Sequence, residues 1–220
     1  MLSFIDLSQA IKVHQNHSAE YKLAYQLSAN YIKSNLSTKD KISNINLNEF
    51  GNINFPYYEF GDNVNTFDLF KLDELIIFSF YLKNKSKYNN VIDIGANIGL
   101  HSILMAKLGW NVKAYEPDPI HLRFLKSNIS KNNLEDKINV QELAVLDKFD
   151  SLKFTRIINN TTGSHISGMK DNPYGPMDYF KVKTVPITEI IEGVDFIKLD
   201  AEGSESIILR SLSLDQLKKI

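Results

Sequence analysis

Three charged residues at alternate positions, Lys198, Asp200 and Glu202, are well suited to acid–base chemistry. Residues 194–199 are mostly apolar, which predicts a buried strand that ends at this charged group. In an open α/β sheet, ligands bind beyond the carboxyl ends of the strands. Either carboxylate could accept the proton of a hydroxyl there, and the Lys198 ammonium could stabilise the oxyanion that forms.

Other interpretations of this charged group stay open. Strand alternation places Lys198 and Asp200 on the same side, so they could form a structural ion pair that orients the next helix, with Ser204 as its cap. Asp200 and Glu202 could also be oxygen ligands of Mg²⁺. We predict no metal site, because the sequence offers no dedicated cluster of ligands.

A second candidate site is segment 91–100, whose pattern predicts a short buried strand, a glycine turn and the start of a helix. Gly95 and Gly99 allow a positive φ and a close approach of a ligand to the backbone. Their spacing differs from the Gly-x-Gly-x-x-Gly of dinucleotide sites, and the turn contains no lysine or arginine for a phosphate. Asp93 at the strand end instead suits S-adenosylmethionine, which carries positive charge and free ribose hydroxyls. The alternative is an ordinary turn in which Asp93 is a cap.

The next predicted strand, 111–116, ends in a third candidate, Glu116. This residue lies about 20 positions after the glycine turn, where doubly wound folds place the carboxylate that binds a ribose. Asp118 and Pro119 then predict the first turn of a helix, as its cap and its first residue. Glu116 is therefore a predicted ribose ligand, and the alternative is a solvated acid at a strand end.

Three motifs in this order resemble the FkbM family of S-adenosylmethionine-dependent methyltransferases: Asp-Ile-Gly-Ala-Asn-Ile-Gly at 93–99, Tyr-Glu-Pro at 115–117, and Ile-Lys-Leu-Asp-Ala-Glu-Gly-Ser-Glu at 197–205. The resemblance extends over roughly residues 73–212. It implies a class I methyltransferase fold, which is a Rossmann-like α/β fold with a mostly parallel sheet. It usually implies transfer of a methyl group to a hydroxyl of a saccharide or another small metabolite.

The patterns and the resemblance together predict a set of site residues. The cofactor-binding residues are Asp93, Gly95, Ala96, Asn97, Gly99, Glu116, Pro117 and Ala144. Ala144 is small enough to pack against an adenine ring at the end of a third predicted strand, 138–145. The catalytic candidates are Lys198, Asp200, Glu202 and His165. His165 lies in a predicted long loop, 158–180, of the kind that often forms a lid, whereas His14, His17 and His121 are assigned to the surface.

Two other functions stay open, a nicotinamide-dependent oxidoreductase and a non-catalytic module that binds the cofactor. The glycine spacing and the acids near the turn disfavour the first. Transfer of a labelled methyl group distinguishes the second from an enzyme.

Composition limits the partners. The 220 residues are 43% apolar, enough for one domain with a core, and their net charge of −1 gives no electrostatic argument for binding nucleic acid. The sequence has no cysteine, no apolar run of the ~20 residues that a membrane span needs, and no signal-peptide pattern. We therefore expect a cytoplasmic protein, and the resemblance to the FkbM family implies a small-molecule or glycan acceptor.

The pattern along the chain predicts a helical extension and linker over 1–54 and a methyltransferase domain over 55–220. A helix within 1–36 would have an apolar face formed by Ile11, Tyr21, Leu23, Ala24, Leu27, Tyr31 and Ile32. A polar linker or loose meander without a regular period would follow over 34–54. Other predicted elements are a helix over 73–82 and strands over 151–157 and 182–185. Class I methyltransferases have seven strands, but no strand-like run follows residue 204. We therefore expect a sheet without its C-terminal strands, whose open apolar edge could support oligomers.

Overall fold

The computed structural model describes residues 18–35, 42–61 and 64–220. The chain divides into two compact units, residues 1–59 with 64–87 and residues 60–63 with 88–220. The division into a helical extension and linker over 1–54 and a methyltransferase domain over 55–220 stays a prediction. In the described ranges, no helix has both the length and the apolar character needed to cross a lipid bilayer.

The first elements along the chain include a short hairpin and two helices. They are α1 (Ala19–Asn35), β1 (Ile42–Asn46), β2 (Asn52–Pro56), β3 (Glu59–Gly61), β4 (Val64–Asn65) and α2 (Leu72–Lys83). Strands β1 and β2 pair in an antiparallel hairpin. Helix α2 confirms the helix predicted over 73–82, and its residues Leu75 and Phe78 are buried.

The hairpin lies where the sequence predicts a polar linker or loose meander without a regular period, and the absence of regular strands is wrong for β1 and the start of β2. Ile53 and Phe55 of β2 lie two positions apart, as do Ile45 of β1 and Leu47 directly after this strand, and all four are buried. This period of two is typical of a half-buried strand, and the many asparagines obscure it. Helix α1 lies within the predicted range, but Leu23 and Leu27 of the expected apolar face are exposed. Ile11 of that face lies outside the described residues.

The second unit contains two sheets. After β4 and α2, the elements continue with β5 (Asn90–Ile94), α3 (Leu100–Lys107), β6 (Asn111–Tyr115), α4 (Pro119–Lys131), β7 (Ile138–Gln141), β8 (Ala144–Leu146), β9 (Ser151–Ile157), β10 (His165–Ile166), β11 (Met177–Pro186), β12 (Phe196–Leu199), α5 (Glu205–Arg210) and α6 (Leu214–Leu217). Alternation of strands and helices from β5 to β7 is the pattern of a parallel sheet covered by helices.

The parallel sheet carries the three motifs, and its strand order is β12-β5-β6-β7. The chain runs outward from β5 through β6 to β7 and later returns to place β12 on the other side of β5. The topological switch point therefore lies between β5 and β12, where ligands bind in such folds. Ile92 and Ile94 of β5 belong to a buried hydrophobic core of the second unit. The predicted Rossmann-like α/β fold of the class I methyltransferases is confirmed.

The second sheet has the order β10-β9-β11-β8, in which β8 and β11 are parallel and the other pairs antiparallel. The strand predicted over 151–157 is confirmed as β9, and the one predicted over 182–185 is part of the longer β11. The third predicted strand, 138–145, is wrong as a single element. It is interrupted at Glu142 and Leu143, so β7 and β8 lie in different sheets.

The predicted long loop over 158–180 is also wrong in part. It contains a 3₁₀ turn at Thr161–Gly163, strand β10 and the first residues of β11. Strand β10 pairs with β9, with His165 opposite Thr155. Strand β10 has only two residues, which are too few to show a period of two in the sequence. The glycines and prolines around it therefore dominate the sequence pattern and predict a loop.

Candidate active site

The turn between β5 and α3 depends on its glycines. Gly95 has φ +75°, and a Cβ atom there would lie 1.9 Å from the carbonyl oxygen of Asp200. The N–H of Gly95 donates to the carbonyl oxygen of Tyr115 at 3.0 Å. Gly99 has φ +93°, and its Cβ would lie 2.3 Å from the side chain of Leu125. The turn therefore packs directly on the ends of β6 and β12, and a side chain at position 95 would displace it.

Glu116 follows β6 and is 4% exposed. Its Oε2 accepts the N–H of Asn97 at 2.7 Å, and its Oε1 accepts the N–H of Asp118 at 2.9 Å. One carboxylate thus joins the glycine turn to the start of α4. Each carboxylate oxygen can accept a second hydrogen bond, so Glu116 is still able to bind the hydroxyls of a ligand.

His121 is buried beside Glu116, so its predicted surface position is wrong. The residue is 5% exposed, and its Nδ1 lies 3.7 Å from Oε1 of Glu116. Burial lowers the pKa of His121, but the carboxylates of Glu116 and Asp118 together raise it above the ordinary value of a histidine. The sequence gives no signal for this position, because a histidine beside Leu122 on a helix is compatible with either face.

Lys198 and Asp93 form an ion pair beside the turn. The Nζ of Lys198 lies 3.4 Å from Oδ1 of Asp93, 3.6 Å from Oδ2 of Asp200 and 3.1 Å from the carbonyl oxygen of Gly95. Asp93 is fully buried, and its Oδ2 accepts a hydrogen bond from Ser102 at 2.6 Å. Three oxygens surround the ammonium, which favours the structural interpretation of Lys198.

The two carboxylates after β12 have different surroundings. The side chain of Asp200 is 65% exposed, whereas Glu202 has φ +51° and pairs with Lys170 at 2.5 Å. A Cβ on Gly203 would lie 2.2 Å from the carbonyl oxygen of Met169. The segment before β11 therefore packs on this loop, and Asp200 is the more accessible of the two carboxylates. No group of three or more potential metal-binding side chains occurs in the part of the chain that the structure describes.

His165 lies in strand β10 and is 1% exposed. Its Nδ1 lies 3.0 Å from the carbonyl oxygen of Gly163. The neighbouring residues Ser164 and Ile166 line the cleft described next. A buried ring that bonds to its own segment is less suited to accept a proton from a bound hydroxyl than an accessible carboxylate.

A cleft lies at the carboxyl ends of β5, β6 and β12. The predicted site residues that line it are Gly95, Asn97, Glu116, Pro117, Ala144, Asp200 and Glu202. Within the described residues, its lining does not include Asp93, Ala96, Gly99, Lys198 or His165. Three lining residues are carboxylates, and none of those described is a lysine or an arginine. Such a lining suits a ligand with positive charge and hydroxyl groups better than a phosphate.

The sequence of residues 93–220 identifies the family. Residues 93–220, more than half of the chain, match the methyltransferase FkbM domain. The chain belongs to the FkbM methyltransferase family. All three motifs lie within the matched range, and the predicted family resemblance is confirmed. Among curated proteins, none matches the chain significantly.

Several solved structures of methyltransferases resemble this FkbM chain over part of their length. The FkbM methyltransferase from Methylobacillus flagellatus KT is 18% identical over 64% of this chain and 39% of its own, with a TM-score of 0.37. The N-terminal domain of human METTL16 in complex with SAH is 31% identical over 31% of this chain and 27% of its own, with a TM-score of 0.26. The METTL16 catalytic domain in complex with the MAT2A 3′UTR hairpin 6 is 19% identical over 56% of this chain and 50% of its own, with a TM-score of 0.36. The matches span half or less of these proteins, and the hairpin complex is a property of METTL16.

Three residues that line the FkbM cleft each have a buried polar side-chain atom without a hydrogen-bond partner among the described residues. The atoms are Oδ1 of Asn97, Nε2 of His121 and Oγ of Ser204. They come from three separate segments, the turn after β5, helix α4 and the start of α5. Unpaired buried polar atoms are unfavourable, so a polar ligand that bonds to them would stabilise the cleft.

An arginine that the sequence did not single out joins the second sheet to α4. Arg156 of β9 donates from Nε and Nη2 to the two oxygens of Asp118, each at 2.7 Å, and from Nη1 to Asp178 at 3.0 Å. Asp118 is fully buried and caps α4 by accepting the N–H of Ile120 at 2.7 Å. The cap is predictable from local sequence, but the arginine is 38 positions away.

Proposed function

We propose that this FkbM-family chain is an S-adenosylmethionine-dependent O-methyltransferase that methylates a hydroxyl of a saccharide or a related small metabolite. The observation that carries the proposal is the cleft lining, with Glu116, Asp200 and Glu202 but no lysine or arginine among the residues described. The cofactor has a sulfonium, an ammonium and a ribose without phosphate. Carboxylates therefore favour it over a nicotinamide dinucleotide, whose pyrophosphate is negative.

The residues of the cleft fit this cofactor. Glu116 retains the capacity to accept the ribose hydroxyls, and the small side chain of Ala144 leaves room for the adenine. The unpaired Oδ1 of Asn97 and Oγ of Ser204 suit polar groups of the nucleoside and of the methionine part. When bound, S-adenosylmethionine supplies a methyl group on a positively charged sulfur. Asp93, Ala96 and Gly99 act by holding the turn in place.

Asp200 is the proposed base that accepts the proton of the acceptor hydroxyl. It lines the cleft with an exposed carboxylate, and the Lys198 ammonium at 3.6 Å holds that carboxylate in position. Glu202 and His165 are less suited to accept this proton. Glu202 is already paired with Lys170, and His165 lies within hydrogen-bond distance of the carbonyl oxygen of Gly163.

The acceptor class is inferred from the family and from hydroxyl side chains of the cleft. Thr161, Thr162 and Ser164 are among the residues that line it. Hydroxyl groups both donate and accept hydrogen bonds, so they suit a polyhydroxyl acceptor such as a saccharide. A cytoplasmic location, the absence of a nucleic-acid partner and association through an open sheet edge stay predictions.

The direct test is calorimetric titration of the chain with S-adenosylhomocysteine and, in parallel, with NAD. We expect binding of S-adenosylhomocysteine only, because NAD would bring a pyrophosphate into a cleft lined by carboxylates. Binding of NAD alone would replace this proposal with an oxidoreductase. If S-adenosylhomocysteine binds but no methyl group from labelled S-adenosylmethionine reaches a panel of saccharides, the non-catalytic alternative gains support.

Asp200→Asn tests the base. We expect methyl transfer to fall about hundredfold, at the low end for loss of a general base, because Glu202 also lines the cleft and can replace Asp200 in part. Affinity for S-adenosylhomocysteine should change less than about threefold, since the substitution keeps the shape of the side chain. Asp215→Asn, at an exposed position in α6, is the matched control. Full turnover in Asp200→Asn would move the role to Glu202, with Glu202→Gln as the next variant.

A further inference from the structure

The ring of His121 has one nitrogen whose role is accounted for and one whose role is not. Nδ1 lies 3.7 Å from the carboxylate of Glu116, whereas Nε2 is buried and has no hydrogen-bond partner in the described part of the molecule. The whole residue is 5% exposed and lines the cleft. A buried histidine of purely structural function would normally bond through both nitrogens.

The environment of Nδ1 determines what Nε2 can do. A carboxylate beside Nδ1 favours a proton on that nitrogen in both the neutral and the charged ring. Nε2 is then an acceptor when the ring is neutral and a donor when it is charged. A hydroxyl group can bond to Nε2 in both states, because it donates and accepts. An amino group could bond only to the neutral ring, and a carbonyl or a ring nitrogen only to the charged ring.

Hydroxyl groups are also what the neighbouring carboxylate is expected to bind. Glu116 already accepts two backbone N–H groups, and because the Nδ1 proton of His121 faces Oε1, a further lone pair remains available on Oε2. A ribose presents two adjacent hydroxyls, and Glu116 and His121 lie side by side in the cleft.

We propose that His121 binds the cofactor ribose, with Nε2 bonded to one hydroxyl while Glu116 accepts the other. This inference rests on the proposed function, because it takes the nucleoside of S-adenosylmethionine as the ligand. His121 thereby adds a ribose contact that none of the three sequence motifs contains. Asp118 and Arg156, the other charged groups near the ring, are bonded to each other by two hydrogen bonds.

The experiment pairs a protein substitution with deletions of single ligand hydroxyls. S-adenosylhomocysteine and its 2′-deoxy and 3′-deoxy analogues are titrated into the unchanged chain and into His121→Phe, which keeps a ring of similar size without nitrogens. We expect His121→Phe to weaken S-adenosylhomocysteine about tenfold. The same substitution should have almost no effect on the affinity of one of the two deoxy analogues, because the bond is then already absent.

The controls separate a contact from a structural effect. Lys126→Ala, at an exposed position of the same helix, should leave all three affinities unchanged. His121→Gln retains a donor and an acceptor and should recover part of the affinity, and it replaces His121→Phe if the latter does not fold. An equal loss for all three ligands, or no loss for any, would overturn the ribose contact while the proposed function stands. Failure of the unchanged chain to bind any of the three ligands would overturn both.

Discussion

Glu116→Ala is expected to weaken binding of S-adenosylhomocysteine by more than tenfold and to destabilise the fold as well. The loss of affinity follows from removal of a charged acceptor for the ribose hydroxyls, a contact of about 1.5–3 kcal/mol. The loss of stability follows from the N–H groups of Asn97 and Asp118, which both donate to this carboxylate. Each N–H that is left unsatisfied in the interior costs about 1–3 kcal/mol.

The two effects of this substitution can be measured separately. Urea unfolding reports the free energy of unfolding, and calorimetry at a temperature where the variant is folded reports the affinity. Glu116→Gln keeps the volume and one acceptor oxygen, so we expect a smaller loss of stability and most of the loss of affinity. Glu142→Gln, an exposed position after β7, is the matched control. Unchanged affinity in a folded Glu116→Ala protein would remove the ribose assignment.

Arg156→Ala is expected to lower the free energy of unfolding by about 3–5 kcal/mol, because it leaves the carboxylate of Asp118 buried without its counter-ion. Asp118 is fully buried and receives two hydrogen bonds of 2.7 Å from the guanidinium. Arg156→Lys should recover only part of the loss, since an ammonium cannot reproduce the bidentate geometry. Chemical denaturation of the three proteins at neutral pH is the measurement.

The partner on the exposed side of Arg156 provides the control. The side chain of Asp178 is 54% exposed, and exposed ion pairs contribute about 0–1 kcal/mol. Asp178→Asn should therefore change the unfolding free energy by less than about 1 kcal/mol. A loss in Asp178→Asn as large as that in Arg156→Ala would show that the buried pair is not the source of the stability.

The pH dependence of this ion pair has a defined sign. Burial raises the pKa of Asp118, but the hydrogen bonds from Arg156, the nearby His121 and the N–H of Ile120 bring it below the ordinary value. The stability that this group contributes is present above its unfolded pKa of about 3.9 and is lost as the pH falls through the lower folded pKa. The difference in stability between the unchanged chain and Arg156→Ala should therefore shrink below about pH 4. A constant difference down to acid pH would contradict this assignment.

The amino-acid sequence by itself determined the elements whose signals are local. The apolar run of β5, the glycines of the following turn, and the Asp118 cap with Pro119 are each encoded within a few residues. The positions of Glu116 and Asp200 at strand ends follow from the same local patterns, and both residues line the cleft. The asparagine-rich hairpin in the first unit and the break between β7 and β8 were missed, because their patterns are short and polar residues interrupt them.

Only the tertiary structure decided which side chains meet. Lys198 lies opposite Asp93 in the register of β12 against β5, so its partner depends on which strands become neighbours. His121 lies beside Glu116 because of its place on α4, and Arg156 reaches Asp118 from the second sheet. Some of these contacts join residues that are distant in the chain. Others depend on which face of a helix is turned towards the core. The physical reason is that burial of the apolar faces fixes the strand order and helix rotation, and charged side chains then pair with whatever this packing brings near.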